Sequence, residues 1–447
     1  MVLPEDVVRA LDRLESAGWE SYAVGGCVRD ALLGIEPHDW DLCTAAPPEE
    51  MKKVFADERV LETGIKHGTL TLLAPSGPLE ITTFRAESGY TDRRHPDSVS
   101  FLSDVHADLA RRDFTVNAMA YSPKRGLRDD FHGREDLQNG VLRCVGEPGE
   151  RFREDALRIL RALRFAARFR LTVEEKTAAA LRENRELLRS VSPERIFSEL
   201  KGILCAPGAG TMLLAYPEVF FVFLPELSPM LGFDTRRPQN HCWDVWGHTA
   251  HAVDAIAPES VLRLTMLFHD SGKPETFRFD PAAGYGEFPR HPQLGAEIAD
   301  AALRRLHCDN AARKTVITLV ENHEMRTGHE TKDLRRLLAK LGEEDMRDLL
   351  LVRRADAAAH APEAAARLAA LADEDERRLN EILAEHGCLH VRDLAVNGND
   401  LAALGVPPGP AVGETLSRLL DLVLDGALQN DREALLRAVR KGEETHE

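Results

Sequence analysis

The spacing of hydrophobic residues along the chain changes near residue 150. Before that point, short runs such as SYAV (21–24), GTLTLLAP (68–75) and LEITTF (79–84) cluster or alternate β-forming side chains. After Glu154 the apolar positions recur at helical spacing in long segments rich in Ala, Leu, Arg and Glu. The pattern predicts a mixed α/β region over residues ~20–145 and a helical remainder with few strands.

The first fifty residues predict a helix, a strand and a glycine-rich turn in that order. The helix covers residues 5–18 and ends at Gly18, and SYAV follows as a strand. Gly25-Gly26 then leads into a helical stretch, VRDALL, and HDWDLCT (38–44) is a second extended segment.

Stretches rich in Pro and Gly mark candidate linkers between larger parts of the chain. They are GEPGE (146–150), CAPGAG (205–210), the region near Arg237-Pro238 and VPPGP (406–410). We predict four parts: a mixed α/β head (1–145), a helical neck (146–230), a helical body (231–370) and a helical tail (371–447).

The composition excludes several classes of protein. Hydrophobic residues make up 43 % of the 447 residues and charged residues 29 %, which supports a core and excludes wholesale disorder. No run approaches the ~18 apolar residues of a membrane-spanning helix, and no basic-then-apolar signal opens the chain. We therefore expect a cytoplasmic protein with no membrane partner. The seven cysteines are dispersed without a CxxC pair, which argues against a disulfide framework or a structural zinc site.

The net charge of −17 disfavours nucleic-acid binding over the whole surface, but the charge is unevenly distributed. Residues 1–50 carry 3 Arg/Lys against 11 Asp/Glu, whereas residues 151–200 carry 12 against 8. The locally basic segment could still bind a polyanion on one face.

Two acidic residues, Asp39 and Asp41, stand two apart in HDWDL. Side chains two apart on a strand point to the same face, so the two carboxylates are predicted to lie side by side. Paired carboxylates can hold Mg²⁺ ions that bridge nucleotide phosphates, although an isolated DxD pattern is more often a solvated strand edge. The context favours the metal site, because Gly25-Gly26 precede a helix whose N–H groups can approach a phosphate, with Arg29 in its first turn.

Five ordered segments between residues ~20 and 200 resemble the motifs of the class II transfer-RNA nucleotidyltransferases. This family comprises the CCA-adding enzymes and the related bacterial poly(A) polymerases. The segments are VGGCVRDALLG…HDWDL (24–42), ARRDFTVNAMAY (110–121), DFHGREDL (130–137), REDALRILRALRFAARF (153–169) and SPERIFSEL (192–200). In the family they correspond to the catalytic acids, ribose recognition, a hinge, the nucleotide-base template and a structural motif.

The resemblance implies which residues perform the reaction. Asp39 and Asp41 would be joined by a third acid on a later strand, for which Glu80 in LEITTFR is the candidate. Two Mg²⁺ ions on these acids would promote attack of the transfer-RNA 3′-hydroxyl on the α-phosphorus of CTP or ATP, with release of pyrophosphate.

The resemblance also implies a nucleotide-binding set. Asp113 and Asn117 would hold the ribose, whereas Arg111 and Arg112 could meet phosphates or be structural ion-pair partners. The full set of candidates is Gly25, Gly26, Arg29, Arg111, Arg112, Asp113, Asn117, Glu154, Asp155, Arg158 and Arg161.

The fourth motif contains a chemical basis for base selection. On a helix, Asp155 and Arg158 are neighbours at i and i+3, and they pair an acceptor with a donor. Cytosine and adenine present an amino donor beside a bare ring nitrogen, whereas uracil and guanine present a carbonyl beside a ring N–H. A fixed acceptor–donor pair therefore fits C and A and rejects U and G. Four arginines on one face of this helix could equally be a solvated basic face.

The substrate range has alternatives that the sequence leaves open. In the family, a flexible loop at FRAESGYTDRRHPDSV (84–99) accompanies addition of the final A, so its presence, with Arg85 and residues 90–94, favours either full CCA addition or A-only addition. A bacterial poly(A) polymerase would share the head, but a strongly basic C-terminal extension would be expected in place of the acidic KGEETHE.

Eight of the 17 histidines fall between residues 241 and 329. The order His248, His269-Asp270, His291, His323 and Asp356 resembles the HD phosphohydrolase superfamily, with His248, His269, Asp270 and Asp356 as candidate ligands. Imidazole and carboxylate ligands suit a divalent transition metal, which could activate water against a phosphate ester. An HD phosphohydrolase with a nucleotide-binding head is thus a function of a different class.

Together these resemblances imply an α+β fold. A mixed α/β nucleotidyltransferase head would be followed by an all-α neck, an HD-containing body and a tail that contacts transfer RNA.

Overall fold

The computed structural model describes residues 1–62, 64–65, 68–75, 77–88, 98–235, 242–282, 285–324, 331–385 and 387–443. The chain forms two compact units, Met1–Pro225 and Glu226–Glu447. The predicted division into four parts is finer than this and stays a prediction.

The first unit contains all but two of the strands in the described ranges. They are β1 (Ser21–Val24), β2 (Asp41–Thr44), β3 (Val60–Leu61), β4 (Thr69–Ala74), β5 (Gly77–Thr83), β6 (Arg85–Ser88), β7 (Ser98–Phe101), β8 (Ala120–Ser122), β9 (Gly126–Arg128), β10 (Val141–Leu142) and β11 (Thr172–Val173). Seven of them form one sheet with the order β3-β4-β5-β2-β1-β8-β9. β6 and β7 form a separate hairpin, and β10 pairs with β11.

One helix of the first unit precedes the sheet, several lie between its strands in the sequence, and the rest form the helical segment that follows it. They are α1 (Glu5–Ser16), α2 (Gly26–Leu32), α3 (Pro48–Val54), α4 (Val105–Ala110), α5 (Gly133–Gln138), α6 (Pro148–Glu154), α7 (Leu157–Phe169), α8 (Glu175–Asn184), α9 (Pro193–Leu204), α10 (Ala209–Ala215) and α11 (Pro217–Phe220).

β2 lies inside the sheet, where it is antiparallel to β1 and parallel to β5. Both faces of β1 are buried, which explains why SYAV is continuously apolar apart from Ser21. One core cluster under the sheet includes Tyr22, Val24, Cys43, Phe84, Leu109 and Ala120. This packing fixes where β2 begins relative to its neighbours.

The predicted continuous helix over the fourth motif is wrong at one point. α6 ends at Glu154 and α7 begins at Leu157, with Asp155 between them in an extended conformation (φ −138°, ψ 105°). The Asp155 carboxylate accepts a hydrogen bond from the backbone N–H of Leu157 at 3.0 Å. A short acidic side chain in this position satisfies a helix N–H that has no partner within the helix, which favours starting a new helix here.

The second unit is almost entirely helical. Its helices are α12 (Val245–Ala255), α13 (Ser260–Phe268), α14 (Lys273–Thr276), α15 (His291–Arg305), α16 (Asn310–Asn322), α17 (Thr331–Leu341), α18 (Glu343–Ala358), α19 (Pro362–Ala384), α20 (Gly398–Ala402), α21 (Pro410–Leu424) and α22 (Arg432–Glu443). A hairpin of β12 (Arg278–Asp280) and β13 (Tyr285–Glu287) interrupts them.

The predicted fold class, a mixed α/β head followed by helices, is confirmed. The β12–β13 hairpin and strand β11 are short exceptions within the part predicted to be all-helical. Across the described ranges, no helix combines the length and the apolar character needed to cross a membrane.

Candidate functional sites

Three carboxylates predicted to act together meet at the start of β2. Asp41 is the first residue of β2 and lies in register with Glu80 of the parallel strand β5. Side chains in register on adjacent strands share a face, so these two carboxylates are neighbours. Asp39 lies two residues earlier, in the loop before β2, and is exposed.

The expectation that Asp39 and Asp41 share one strand is therefore wrong. β1 pairs with β2 up to Ala23 and Leu42, and the chain then turns into α2 at Gly25, which has a φ of +82°. A strand continues only where a neighbouring strand offers hydrogen-bond partners, and β1 offers none opposite Asp39.

The charges of Asp39 and Glu80 both act on the carboxylate of Asp41. The side chain is accessible to solvent, yet the surrounding protein desolvates its carboxylate, and Asp39 and Glu80 add like charge; Arg112 opposes them. The net effect raises the pKa of Asp41 to about 6. Carboxylates whose charges repel one another form a ready site for a divalent cation.

Arg112 lies against the glycine turn that precedes α2. A Cβ atom added to Gly25 would come within 2.6 Å of Arg112 Nη1, so a side chain here would displace this guanidinium, and the positive φ itself favours glycine. Arg112 and Arg111 both bond the buried carboxylate of Asp108, Arg112 Nη2 at 3.4 Å and Arg111 Nη2 at 2.8 Å. Although burial opposes ionisation, the two arginines hold the pKa of Asp108 below its ordinary value.

A buried hydrogen-bond network orders the second motif, residues 110–121. The Asp113 carboxylate accepts a hydrogen bond from Asn117 Nδ2 at 3.0 Å, and Asn117 lies in a short 3₁₀ helix, Thr115–Asn117. Asn117 Oδ1 accepts a hydrogen bond from Arg29 Nη1. Arg29 is only 4 % exposed; it also bonds Asp30 and lies 4.4 Å from the ring centre of Phe169. Arg29 thus contacts protein partners beneath the site.

The arginines of α7, the helix of the fourth motif, form ion pairs with the same network. Arg161 donates to Asp113 Oδ2 from Nε at 2.9 Å and from Nη2 at 2.7 Å. Arg164 donates to Glu199 Oε2 at 2.7 Å, and Arg168 lies 4.0 Å from Asp30. The basic face of α7 is therefore paired with protein carboxylates rather than left fully solvated.

The predicted base-selecting residues lie at the junction of α6 and α7. Arg158 Nη1 donates to Glu154 Oε2 at 2.6 Å, and Arg158 Nη2 donates to the carbonyl of Arg111 at 3.3 Å. Asp155 accepts a hydrogen bond from Arg195 Nη2 of α9 at 3.0 Å. Because the helix breaks at Asp155, the acceptor and the donor are each oriented by a different partner.

Sequence reasoning missed the acidic and basic residues that orient this set. They are Asp108, Arg195 and Glu199, each of which bonds an arginine or acid named above. Asp108 was detectable, because it precedes Arg111 and Arg112 by three and four residues, the spacing of helical ion pairs. The partners of Asp155 and Arg164 lie 40 and 35 residues away, and no local pattern indicates them.

The segment expected to be a flexible loop is bounded by a hairpin. β6 and β7 pair from Arg85–Phe101 to Ser88–Ser98. The predicted contribution of residues 90–94 lies outside the described residues.

The four predicted ligands of the second unit come from two helices, α12 and α18, and from the turn after α13. His248 Nε2 of α12 lies 2.8 Å from Asp356 Oδ1 of α18 and 3.6 Å from Asp270 Oδ2. His269 Nε2 lies 3.3 Å from Asp270 Oδ2 and 3.5 Å from Asp356 Oδ1. All four predicted ligands therefore face one another; the two histidines and Asp270 are buried, and the Asp356 side chain is 26 % exposed.

The two histidines of this cluster respond differently to their surroundings, because burial lowers the pKa of His248 whereas the pKa of His269 is raised. Burial lowers the pKa of His269, but the carboxylates of Asp270 and Asp356 outweigh it and raise that pKa to about 10. Lys273 Nζ donates to Asp270 Oδ2 at 2.6 Å in the same buried space. Imidazole and carboxylate donors arranged in this way can hold a transition-metal ion.

Comparison with known proteins places the chain in a family. A model of the poly A polymerase head domain matches residues 21–143, and one described as "Probable RNA and SrmB-binding site of polymerase A" matches residues 170–231. A model of tRNA nucleotidyltransferase domain 2 matches residues 293–439.

Full-length relatives agree with these matches. The CCA-adding enzyme of Levilactobacillus brevis is 34 % identical over 445 residues, which cover 98 % of each chain. That of Limosilactobacillus fermentum is 33 % identical over 96 % of this chain and 94 % of its own. The crystal structure of the Bacillus stearothermophilus CCA-adding enzyme in complex with CTP is 25 % identical, with a TM-score of 0.72 over 100 % of this chain and 99 % of that one. The chain belongs to the CCA-adding enzymes.

Proposed function

We propose that this protein adds or repairs the 3′-terminal CCA of transfer RNA. It uses CTP and ATP without a nucleic-acid template and releases pyrophosphate. The main observation behind the proposal is that Asp41 and Glu80 lie in register on adjacent strands. Asp39 is near enough to raise the pKa of Asp41. This is the chemistry of a cation-dependent nucleotidyl transfer.

Asp39, Asp41 and Glu80 are the proposed ligands of Mg²⁺. Their oxygens fit this hard cation, and their mutual repulsion is relieved when it binds. When bound, Mg²⁺ lowers the pKa of the attacking 3′-hydroxyl and neutralises charge on the departing pyrophosphate. The carboxylates orient the reacting groups at the open start of β2.

Arg112 and the glycine turn form the proposed phosphate side of the site. Among the described residues, Arg112 Nε is buried and has no hydrogen-bond partner, so its guanidinium retains donor capacity. Arg111 is engaged by Asp108, which makes it a positioning residue for Arg112. Gly25 keeps the backbone open beside this guanidinium, and Gly26 follows it at the start of α2.

Asp113 and Asn117 are the proposed ribose contacts. Arg161 donates a hydrogen bond to Asp113, and Arg29 donates one to Asn117. Both side chains are therefore already oriented when the nucleotide binds. Arg29 and Arg161 therefore act on the nucleotide through these two side chains.

Arg158 and Asp155 are the proposed readers of the base, with Glu154 orienting Arg158. Arg158 offers donors to the bare ring nitrogen of C or A, and Asp155 accepts from the exocyclic amino group. With U or G, a carbonyl would face Asp155 and a ring N–H would face Arg158, leaving both without partners.

The transfer RNA is proposed to contact the region after the head. Residues 151–200 carry the locally basic charge, and the family match at residues 170–231 is described as RNA-binding. Because transfer RNA is a cytoplasmic substrate, we place the activity in the cytoplasm.

A one-nucleotide assay tests the proposal. The purified chain is given transfer RNAs that lack CCA or end in C or CC, with each NTP alone. We expect CTP to extend the first two substrates, ATP to extend only the third, and UTP and GTP to add nothing. Addition of A but never C would make the protein an A-adding enzyme, and long A tracts on unrelated RNA would make it a poly(A) polymerase.

Variants of the acids locate the activity in the head. Asp41→Asn should reduce incorporation by roughly 1000-fold, since metal-assisted charge stabilisation is worth several kcal/mol. Glu49→Gln is the matched control, because Glu49 is an exposed acid of α3 in the same unit. Equal activity of both variants would remove Asp41 from the catalytic set.

A second divalent ion is proposed for the second unit. His248, His269, Asp270 and Asp356 are its ligands, and the geometry that supports it is the convergence of their donor atoms. Nitrogen and carboxylate donors favour Mn, Fe, Ni or Zn over Mg.

A further inference from the structure

Arg151 lies on α6, shortly before the proposed base-reading residues, and contacts each of them. Its Nη2 atom lies 2.6 Å from Glu154 Oε1. Its backbone carbonyl accepts a hydrogen bond from Arg158 Nη1 and another from the backbone N–H of Asp155, both at 3.3 Å. A residue outside the proposed nucleotide-binding set is therefore in contact with Glu154, Asp155 and Arg158.

The carboxylate of Glu154 is held by two arginines, one on each oxygen. Arg151 Nη2 lies 2.6 Å from Oε1, and Arg158 Nη1 donates to Oε2 at the same distance. The three side chains are mostly shielded from solvent, since none is more than 20 % exposed, and hydrogen bonds between charged groups are the strong ones. A carboxylate bonded on both oxygens cannot rotate without breaking a bond, so Arg151 fixes the plane of Glu154.

The bonds of Arg158 determine which of its donors remain for a base. A guanidinium has five N–H donors. In the described chain Nη1 uses two of them, on Glu154 and on the carbonyl of Arg151, and Nη2 uses one on the carbonyl of Arg111. One donor on Nη2 and the one on Nε are left for a nucleotide, and their direction is set by the three bonds already made.

Arg151 also prevents a different pairing of Arg158 with Glu154. An arginine and a carboxylate pair preferentially through two parallel hydrogen bonds. Here Arg158 bonds one oxygen of Glu154, because Arg151 occupies the other. Without the Arg151 side chain, Arg158 is free to bond both oxygens. That change would turn Nη2 away from the carbonyl of Arg111 and redirect the donors that remain for the base.

Burial of Arg151 carries a cost in stability. Its Nε is buried and has no hydrogen-bond partner among the described residues. Burying a donor without a partner is unfavourable, and an apolar side chain of similar length would avoid that cost. Arg153 lies two residues later on the same helix and is exposed. The contact with Glu154 is therefore the feature that distinguishes Arg151 from its neighbour.

From this geometry we infer that Arg151 is a positioning residue that determines base choice by holding Glu154 and, through it, Arg158. The inference rests on the proposed function, in which Arg158 reads the base. Arg151 acts through these side chains and not on the nucleotide itself, so its loss should weaken discrimination between bases and leave triphosphate binding nearly unchanged. A role in binding the triphosphate or the RNA would instead affect every nucleotide equally.

Kinetics with single nucleotides on a transfer RNA ending in C test the inference, through the ratio of kcat/KM for CTP to that for UTP. Arg151→Met should lower this ratio by about 10-fold, the value of one hydrogen bond to a charged group, and change the KM for CTP by less than about threefold. Arg151→Lys keeps a cation near Glu154 and should lower the ratio by only about threefold. Arg153→Met is the matched control, because this exposed arginine lies on the same helix, and it should keep the wild-type ratio.

A double-mutant cycle tests whether Arg151 acts through Glu154. In a Glu154→Ala background, Arg151→Met should change the ratio by less than about twofold, because the side chain through which it acts is absent. A similar loss in both backgrounds would show that the two residues act independently and would overturn the inference. A general effect on folding would not vanish when Glu154 is removed, so this readout separates positioning from a structural role.

The remaining outcomes separate the inference from the proposed function. A selective wild type with an unchanged ratio in Arg151→Met would overturn the inference alone, and so would an equal rise in KM for all four nucleotides. A wild type that incorporates all four nucleotides equally would overturn the proposed function and the inference with it. Thermal denaturation checks that each variant is folded. Should Arg151→Met not fold, an unchanged ratio in Arg151→Lys would overturn the inference in its place.

Discussion

The guanidinium of Arg161 on α7 donates two hydrogen bonds to one carboxylate oxygen of Asp113 in the second motif. The distances are 2.9 Å from Nε and 2.7 Å from Nη2. The other oxygen of Asp113 accepts from Asn117 and from the backbone of Phe114. One buried carboxylate thus joins the proposed ribose contacts to the helix proposed to read the base.

Removing Arg161 should destabilise the first unit. Arg161→Met leaves Asp113 buried without its strongest partner, and we expect a loss of about 2 kcal/mol in the free energy of unfolding by urea. Arg189→Met is the control, since Arg189 is largely exposed and pairs with Glu186 only three residues away; it should cost under about 0.5 kcal/mol. Equal losses in the two variants would mean that the Arg161 pair contributes no more than a surface pair.

Because of the Asp113 carboxylate, the free energy of unfolding should depend on pH in the acidic range. Although burial opposes ionisation, Arg161 and Asn117 hold the pKa of Asp113 below its ordinary value of 3.8. The unfolded chain then binds this proton more readily, so the stabilisation is present above pH ~4 and is lost as pH falls through the lower folded-state pKa. In urea unfolding, the gap between wild type and Asp113→Asn should narrow from pH 7 toward pH ~3. A constant gap across that range would contradict the assignment.

Gly25 should be sensitive to a single added methyl group. Gly25→Ala pays the backbone cost of a positive φ and also pushes a Cβ atom against Arg112 Nη1. Gly34→Ala is the matched control, because Gly34 has a φ of +72° but open space around it. Both variants should lose about 1 kcal/mol of stability from the backbone term. Only Gly25→Ala should also lower nucleotide incorporation, by roughly 10-fold, measured as kcat/KM for CTP; equal rates would mean that Arg112 does not bind the triphosphate.

The sequence alone was sufficient to predict the structure where the pattern is local or where an ordered set of motifs exists. The strand SYAV, the glycine turn and the helical remainder follow from spacing alone, and Glu80 was placed beside Asp41 by motif order. The prediction of a strand containing Asp39 was wrong, because the length of β2 depends on where β1 leaves the sheet. The residues of HDWDL do not determine that point.

The break at Asp155 has a similar cause. REDALRIL has helical spacing throughout, but the Asp155 carboxylate accepts hydrogen bonds from the backbone of Leu157 and from Arg195, 40 residues away. These two bonds favour a break in the helix over its continuation. The carboxylate partners of Arg161, Arg164 and Arg168 on α7 are equally distant in the sequence. The histidine cluster was predicted by residue type and order, but the approach of His291 and His323 to Asp270 became evident only once α15 and α16 were placed.

Base choice should depend on Arg158 more than triphosphate binding does. Arg158→Ala removes the donor that fits C and A and leaves Asp155 without its complement, so discrimination against UTP and GTP should fall by about 10- to 100-fold. The KM for CTP should change by less than about threefold, because Arg112 and the glycine turn are untouched. Arg195→Met is the informative companion: it keeps Arg158 but frees the Asp155 carboxylate, and it should relax base choice to a smaller extent. Kinetics with all four nucleotides on a transfer RNA ending in C, which CTP is expected to extend, measure both effects. An equal loss for every nucleotide in Arg158→Ala would show that this side chain binds a part common to them all, and the template role would pass to other residues.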